Sequence, residues 1–551
     1  MTVPVLLHEI IEAHARARPE DLAWQFAGVG RTWSQAHERI ERIAGNLRAL
    51  GLTPGQRVAV FGENSGDVAE LFLALGRAGL VAVPVNPRSV KSEVAYVCAD
   101  VNASCLAVTA ALAPRLLADD ENEAPKVPLW VGIGAGHGCP LDFDDLLCDV
   151  PKGVDMSLAT NPEAMRAIKY TSGTTGRPKG CISTHAQFLE SVSVYLRTVP
   201  FLPGDRALLA LPMTAGVGMY LLAAYVMAGI STFIQSRFAA NEFLDSVAQD
   251  RISRFYGMPT MLASLTHAQV AVPRDLSSLR LAGYGGSPAA AHLVRHASEV
   301  LGCGFYQTFG ASEAGGFITC LHPQEHALIA SSGAGTLGAF GEVVPCGSEV
   351  EGVELRIVGV DGQDVKAGVA GEMWVRTTSL MSGYWNCPEE TTQTIRSGWL
   401  VSGDMVVRGS EGFISVVDRK RDMIISGGYN VYSSEVESVL QRHPSVGEVA
   451  VVGVPDPYWG ESVVAFICPL AGRESSEAEV FAFAEQHLAS YKRPRAVYFA
   501  LALPKTTTGK IRKAELREQA LQLWQARNAA AAGTSQSELQ PIQTPFEETF
   551  K

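Results

Sequence analysis

Residues 170–180 read Tyr-Thr-Ser-Gly-Thr-Thr-Gly-Arg-Pro-Lys-Gly, and no other stretch of the chain packs so many phosphate-directed groups together. Hydroxyls stand at Thr171, Ser172, Thr174 and Thr175, glycines at Gly173 and Gly176, and an ammonium at Lys179. Glycines let a backbone come close to phosphate oxygens, hydroxyls and N–H groups donate to them, and a lysine neutralises their charge. After a β-strand, this run predicts a cradle for a polyphosphate. It is not a Walker A loop, where glycine precedes the lysine and Ser or Thr follows; here Pro178 precedes Lys179 and Gly180 follows. A flexible Ser/Thr/Gly surface loop has the same composition, so the other motifs must decide.

They follow in order. Gly285, Gly286 and Ser287 form a tight turn before Pro288; Phe309-Gly310-Ala311-Ser312-Glu313 combines an aromatic, a glycine and an acid; Ser402-Gly403-Asp404 offers a carboxylate. Asp418 and Arg419, Gly427 and Gly428, and finally Thr508-Gly509-Lys510-Ile511 complete the set. Each alone is weak. In this order and spacing they resemble the acyl-adenylate-forming (ANL) superfamily, which holds acyl- and aryl-CoA synthetases, peptide-synthetase adenylation domains and beetle luciferases. The fatty-acid, 4-coumarate and benzoate–CoA ligase branch is the nearest in character.

The resemblance implies roles. Residues 171–176 and Lys179 would hold the β- and γ-phosphates of ATP, and Gly285, Gly286 and Ser287 would line the adenine site. Phe309 would stack on adenine, with Gly310 and Ser312 beside it, and Glu313 would help hold Mg²⁺. Asp404 and Arg419 would bind the ribose, Gly427 and Gly428 would line the pantetheine path of coenzyme A, and Lys510 would be the catalytic lysine. In the family the C-terminal domain turns about a hinge, placed here at Arg421, where Lys or Asp is usual.

The chemistry is the activation of a carboxylate, a poor electrophile because its charge repels nucleophiles and its leaving group is oxide. Attack on the α-phosphorus of ATP gives an acyl-adenylate and pyrophosphate, and CoA then takes the acyl group. The protein positions two anions and neutralises shifting charge. A free carrier-protein pantetheine is the alternative acceptor, and a non-catalytic acyl-nucleotide sensor the alternative of another class; intact Lys510, Glu313 and Asp404 speak against the sensor.

Two departures stand out. Family members often carry a phenylalanine and a histidine where this chain has Thr214 and Ala215, so either the acyl pocket takes a bulkier acid or another side chain fills the gap. Ser433 replaces a proline, with no change of chemistry expected. The pocket should be built from residues 207–225, 256–262 and 284–286, including Thr214, Ala215, Tyr220, Tyr256, Tyr284 and Gly285; these stretches hold no Arg, Lys, Asp or Glu. A second carboxylate would want an arginine and an α-amino group an aspartate, so an apolar or aromatic monocarboxylic acid is favoured.

What must position these groups is an α/β protein. At 551 residues the chain exceeds one core. We expect a large N-terminal domain, 1–417, made of two α/β subdomains and a β-rich subdomain near 333–417. A hinge at 418–422 and a small, mobile α+β C-terminal domain at 423–530 follow, with a disordered tail at 531–551. Residues 1–50 read as amphipathic helices, with Leu7, Ile10, Ile11 and His14 on one face. A strand, a helix and a strand near 56–63, 68–80 and 81–85 predict a parallel sheet. Pro-Gly turns at 54–55 and 203–204 precede two apolar strands and suggest two halves built alike.

Residues 207–236 carry no charge; internal Pro and Gly breaks favour a buried strand-helix-strand unit over a membrane span. Residues 333–338 fit G-x-G-x-x-G but no helix follows, so they read as a loop. A net charge of −12 disfavours nucleic acid or an anionic membrane as partner of the whole surface. The ten cysteines include no Cys-x-x-Cys pair, and with no export signal they predict reduced thiols in the cytoplasm. Association as a homodimer is left open.

Overall fold

The computed structural model describes residues 6–117, 124–156, 161–171, 178–214, 216–326, 344–470, 472–473, 475–505 and 510–533, with side chains as far as 527. The loop expected at 333–338 lies outside them.

An eight-stranded sheet is built around the expected β-α-β unit. Strand Arg57–Phe61 pairs in parallel with Val81–Val85 on one side and Cys105–Thr109 on the other. Helix Gly66–Arg77 makes the crossover, capped by Ser65, whose hydroxyl accepts from the Val68 N–H. Val81–Val85 continues to Met165–Thr171, then in antiparallel sense to Lys179–Thr184 and the two-residue edge strand Gly383–Tyr384.

A second, nine-stranded sheet holds the parallel strands Arg206–Leu209, Ser231–Ile234, Arg254–Gly257, Leu281–Gly285 and Gly304–Phe309. The uncharged stretch is its strand-helix-strand unit: helix Val217–Ala228 is buried over most of its length, and no described helix is long and apolar enough to cross a membrane. The two Pro-Gly turns serve alike, with Gly55 at φ +82° and Gly204 at φ +83°, each before a strand of its own sheet.

The first 50 residues correct the expectation. Helices Leu7–Ala17 and Trp33–Ala49 form, and Leu7 and Ile11 are buried. Between them lies a hairpin, Leu22–Phe26 and Val29–Thr32, turning on Ala27 at φ +48° and Gly28 at φ +79°. Its first strand pairs in parallel with Ser231–Ile234 of the second sheet. That partner lies about 200 residues away, beyond the reach of local periodicity.

The β-rich region forms a five-stranded antiparallel sheet around Val353–Val358, Gly371–Thr377, Trp399–Arg408 and Ile414–Arg419. The segment expected to be the hinge therefore begins inside a strand, and only residues 420–423 lie between Arg419 and the next strand, Ile424–Ser426.

The C-terminal part is a second five-stranded sheet with three helices. Along Val446–Asp456, alternate residues serve two cores. Val449 and Val451 pack under helices Ser433–Leu440 and Glu477–His487, while Ala450 and Val452 pack under Lys513–Gly533. That last helix reaches three residues into the tail expected to be disordered; the remainder lies outside the described residues.

Candidate active site

Thr171 and Lys179, the two ends of the expected cradle, belong to an antiparallel pair of strands. Thr171 and Lys179 face each other in register, ending one strand and beginning the next. Ser172, Gly173, Thr174, Thr175 and Gly176, between them, lie outside the described residues. Lys179 Nζ is 3.7 Å from Glu390 Oε1 and 5.5 Å from the ring centre of Tyr384. The Tyr384 hydroxyl in turn donates to Glu313 Oε1 at 3.0 Å. Burial first, and the Glu313 charge second, push the Tyr384 phenol far up, so it stays protonated and donates.

Glu313 is fixed by its backbone. It lies in the 3-10 turn Ser312–Ala314, its carbonyl accepts from the Met381 N–H at 2.9 Å, and Gly315 closes the turn at φ +83°. Gly310 admits no side chain, since a Cβ there would stand 1.2 Å from the Gly316 oxygen. Phe309, half-buried, ends the preceding strand. On the neighbouring strand Gly285 is equally confined: a Cβ would meet Tyr256 Oη at 2.2 Å and the Thr308 oxygen at 2.3 Å. Gly286 follows at φ +81°, with Ser287 half-buried beside it. The turn after Gly285 and the turn after Phe309 thus open from the ends of adjacent parallel strands, where α/β sheets place ligands.

The third group comes from the antiparallel sheet. Asp404 faces Arg419 in register, and Arg419 Nε lies 2.8 Å from its Oδ1. Asp404 is 2% exposed. Burial pushes its pKa up to about 6, against the opposing pull of Arg419 and Lys510. Lys510 belongs to the C-terminal part, yet its ammonium lies in the charge field of Asp404, Glu313, Arg419 and Arg421. The residue keeps an exposed surface while protein crowds its ammonium. That desolvation, with Arg419 second, lowers its pKa; Asp404 and Glu313 oppose the shift. Groups separated by about 200 residues of sequence, Glu313 and Lys510, thereby lie within reach of each other's charge.

Other expected residues lie around this centre. Arg421 is exposed, its Nε 3.9 Å from Asp422 Oδ2. Gly427 and Gly428, at φ +60° and +80°, make an exposed turn, and the Gly427 N–H donates to the Trp459 carbonyl at 2.7 Å.

The acyl-pocket candidates are turned to internal partners. Thr214, 1% exposed, donates its hydroxyl to the Gly62 carbonyl at 2.9 Å. Tyr256 and Thr308 share a hydroxyl–hydroxyl bond of 2.7 Å. Tyr284 Oη is 3.4 Å from both Gln307 Oε1 and His326 Nε2. Tyr220 stacks on Phe188 with ring centres 4.7 Å apart and accepts a hydrogen bond from the ammonium of Lys169. Ala215 lies outside the described residues.

Among the described residues no three His, Cys, Asp or Glu side chains form a ready cage for a metal ion. A lone carboxylate such as Glu313 fits Mg²⁺ of the kind that keeps its waters and binds chiefly through nucleotide phosphates.

The profile of the AMP-binding enzymes matches residues 11–385, and that of the AMP-binding enzyme C-terminal domain matches residues 435–510. The chain belongs to the AMP-binding enzyme family. A feruloyl-CoA synthase of an Amycolatopsis species is 36% identical over 510 residues, 92% of this chain and 97% of that protein. The amide bond synthetase McbA of Marinactinospora thermotolerans superposes with a TM-score of 0.81 at 29% identity, over 94% of this chain and 100% of that one. The o-succinylbenzoate CoA synthetase MenE of Bacillus subtilis, solved with ATP and magnesium, gives a TM-score of 0.79 at 26% identity, over 93% and 98% of the two chains.

As an AMP-binding enzyme the chain is an AMP-forming acid–CoA ligase, and ATP, Mg²⁺ and CoA are what it uses with a small carboxylic acid. Three contributors to the site escaped the sequence reading. Tyr384 and Glu390 stand in a plain Gly-Tyr-Trp-Asn-Cys-Pro-Glu-Glu segment whose edge strand joins a distant sheet. Lys169, 2% exposed, stands with Arg166 in a strand that is buried over most of its length, and those two buried charges were the signal.

Proposed function

We propose that this enzyme adenylates an apolar or aromatic monocarboxylic acid and passes the acyl group to CoA, its C-terminal part changing orientation about residues 420–422 between the two steps. The observation that carries the reading is the ammonium of Lys510 held in the charge field of Asp404 and Glu313. That is where positive charge serves an attack on the α-phosphate.

Thr171, Ser172, Thr174 and Thr175 donate to the β- and γ-phosphates, with Gly173 and Gly176 keeping the backbone close and Lys179 supplying charge. Phe309 offers its face to adenine between Gly285, Gly286, Ser287 and Gly310, with Ser312 at the rim. Asp404 accepts from the ribose hydroxyls, and Arg419 keeps it ionised. Glu313 would hold Mg²⁺, which neutralises phosphate charge. A carboxylate oxygen attacks the α-phosphorus in line, its bond to the pyrophosphate oxygen breaks, and Lys510 stabilises the charge that shifts. With the C-terminal part turned about Arg421, Lys510 leaves and Gly427 and Gly428 line the way for the CoA thiol. Its sulfur attacks the acyl carbon, and the carbon–oxygen bond to AMP breaks.

An aromatic body for the acid is supported by the absence of charge in residues 207–225, 256–262 and 284–286, and by the feruloyl-CoA synthase relative. Thr214, Tyr220, Tyr256 and Tyr284 then act from behind the pocket wall. The same reading puts the enzyme in the cytoplasm, in keeping with ten free thiols; light scattering tests whether it is a homodimer. The test of function is pyrophosphate release with ATP, Mg²⁺ and a panel of acids, with and without CoA. Cinnamic-type and other ring acids should release pyrophosphate fastest, with acyl-CoA and AMP formed when CoA is present. Release with every acid but no thioester would remove CoA as acceptor.

A further inference from the structure

Ser433 begins helix Ser433–Leu440, just after the turn at 420–422, and is fully buried. Both its donors are used on one atom. Its N–H donates to Asp418 Oδ2 at 2.6 Å and its hydroxyl to the same oxygen at 2.7 Å. Asp418 lies on the other side of the turn, in the strand Ile414–Arg419, and its Oδ1 accepts from the Arg419 N–H at 2.7 Å. The Ser433 hydroxyl oxygen also accepts from Lys513 Nζ at 2.6 Å, and Lys513 Nζ lies 2.7 Å from Glu437 Oε1. A chain of contacts, Asp418–Ser433–Lys513, therefore crosses the turn and reaches the residue that starts the last helix, three residues after Lys510, with Glu437 holding the same ammonium. The neighbouring Ser434 hydroxyl donates to the Val417 carbonyl and repeats the crossing.

We infer that Ser433 is a positioning residue for the adenylation step, acting through Lys513 to hold Lys510 beside Asp404 and Glu313. This rests on the proposed two-step reaction and names what holds its first orientation. Serine and proline differ here in their donors. A proline at this position has neither N–H nor hydroxyl, so it could not bind Asp418. The backbone would nevertheless accept it: the first position of a helix suits proline, and Tyr432 at φ −83°, ψ 119° already has the extended conformation required before one. Ser433→Pro thus removes the latch and leaves the helix. Hydrogen bonds to an ionised partner buried from water are the stronger kind, and this one disappears when the C-terminal part turns away. It therefore favours the first half-reaction over the second.

The test uses Ser433→Ala and Ser433→Pro in the full chain. Acyl-AMP formation is timed in single turnover, thioester formation is timed separately from pre-made acyl-AMP, and amide hydrogen exchange is followed at Lys420, whose N–H donates to the Gly403 carbonyl at 2.8 Å at the base of the same turn, two residues from Asp418. Both variants should slow acyl-AMP formation on the order of 10-fold, Ser433→Pro the more, with transfer to CoA unchanged or faster. Exchange at Lys420 should speed by a similar factor while the melting temperature moves little. Unchanged acyl-AMP formation, equal slowing of both steps, or unchanged exchange at Lys420 would overturn the inference. If the wild-type enzyme makes acyl-AMP from no acid, the proposed function fails instead, and the exchange arm, which needs no substrate, still decides the latch.

Discussion

Asp404 carries a measurable cost of its position. Its pKa in the fold, about 6, lies above its ordinary 3.8, so the ionised carboxylate opposes folding. That opposition is absent below about 3.8 and complete above about 6. Asp404→Asn removes it, and the variant should melt a few degrees above wild type at pH 8, by roughly 3 kcal/mol at most, with the difference vanishing towards pH 4. Its nucleotide affinity should fall at the same time. Calorimetric melts across that pH range check the first claim; a variant less stable at pH 8 would mean that the Arg419 pair outweighs burial.

Thr214 teaches a different lesson. Its small volume suggested an open pocket, but its hydroxyl holds the Gly62 carbonyl, joining the loop before helix Val217–Ala228 to the other sheet. Thr214→Phe should overpack this joint and lower the melting temperature before it alters acid preference. A fully stable variant with a narrowed range of acids would restore the pocket interpretation.

The elements around the site were legible where the signal was local. The β-α-β unit at 57–85 and the uncharged strand-helix-strand unit both announce themselves by periodicity and by Pro-Gly turns. The hairpin Leu22–Thr32 and the edge strand Gly383–Tyr384 did not, because the first strand of the one and the whole of the other are placed by a partner in a distant segment. The motif residues were likewise legible by type, whereas Tyr384 needed its hydrogen bond to Glu313 to be seen. Gly310 shows why the loop after Phe309 tolerates no substitution: Gly310→Ala would drive a methyl into the Gly316 carbonyl and should abolish nucleotide binding while secondary structure by circular dichroism persists. The turn at 420–422 sits between two sheets, so Arg421→Pro, which fixes φ, should spare acyl-AMP formation and reduce CoA transfer by at least about 10-fold. Equal loss of both, with a lower melting temperature, would indicate damage to folding.

At the scale of the molecule, the proposed active site draws on three sheets and a C-terminal lysine. Thr171 and Lys179 come from the first sheet, the Gly285 and Phe309 turns from the second, Asp404 and Arg419 from the third, and Lys510 from the C-terminal part. No single segment carries the chemistry, which is why short motifs scattered over 340 positions, from Thr171 to Lys510, make sense only together. The central claim is that Lys510 serves the first half-reaction alone. The direct measurement is Lys510→Ala assayed in two parts: acyl-AMP and pyrophosphate formation from acid and ATP, and thioester formation from pre-made acyl-AMP and CoA. The account predicts that the first falls by roughly a hundredfold or more while the second stays within a few-fold of wild type. Equal loss in both parts, or an undiminished first part, would contradict it.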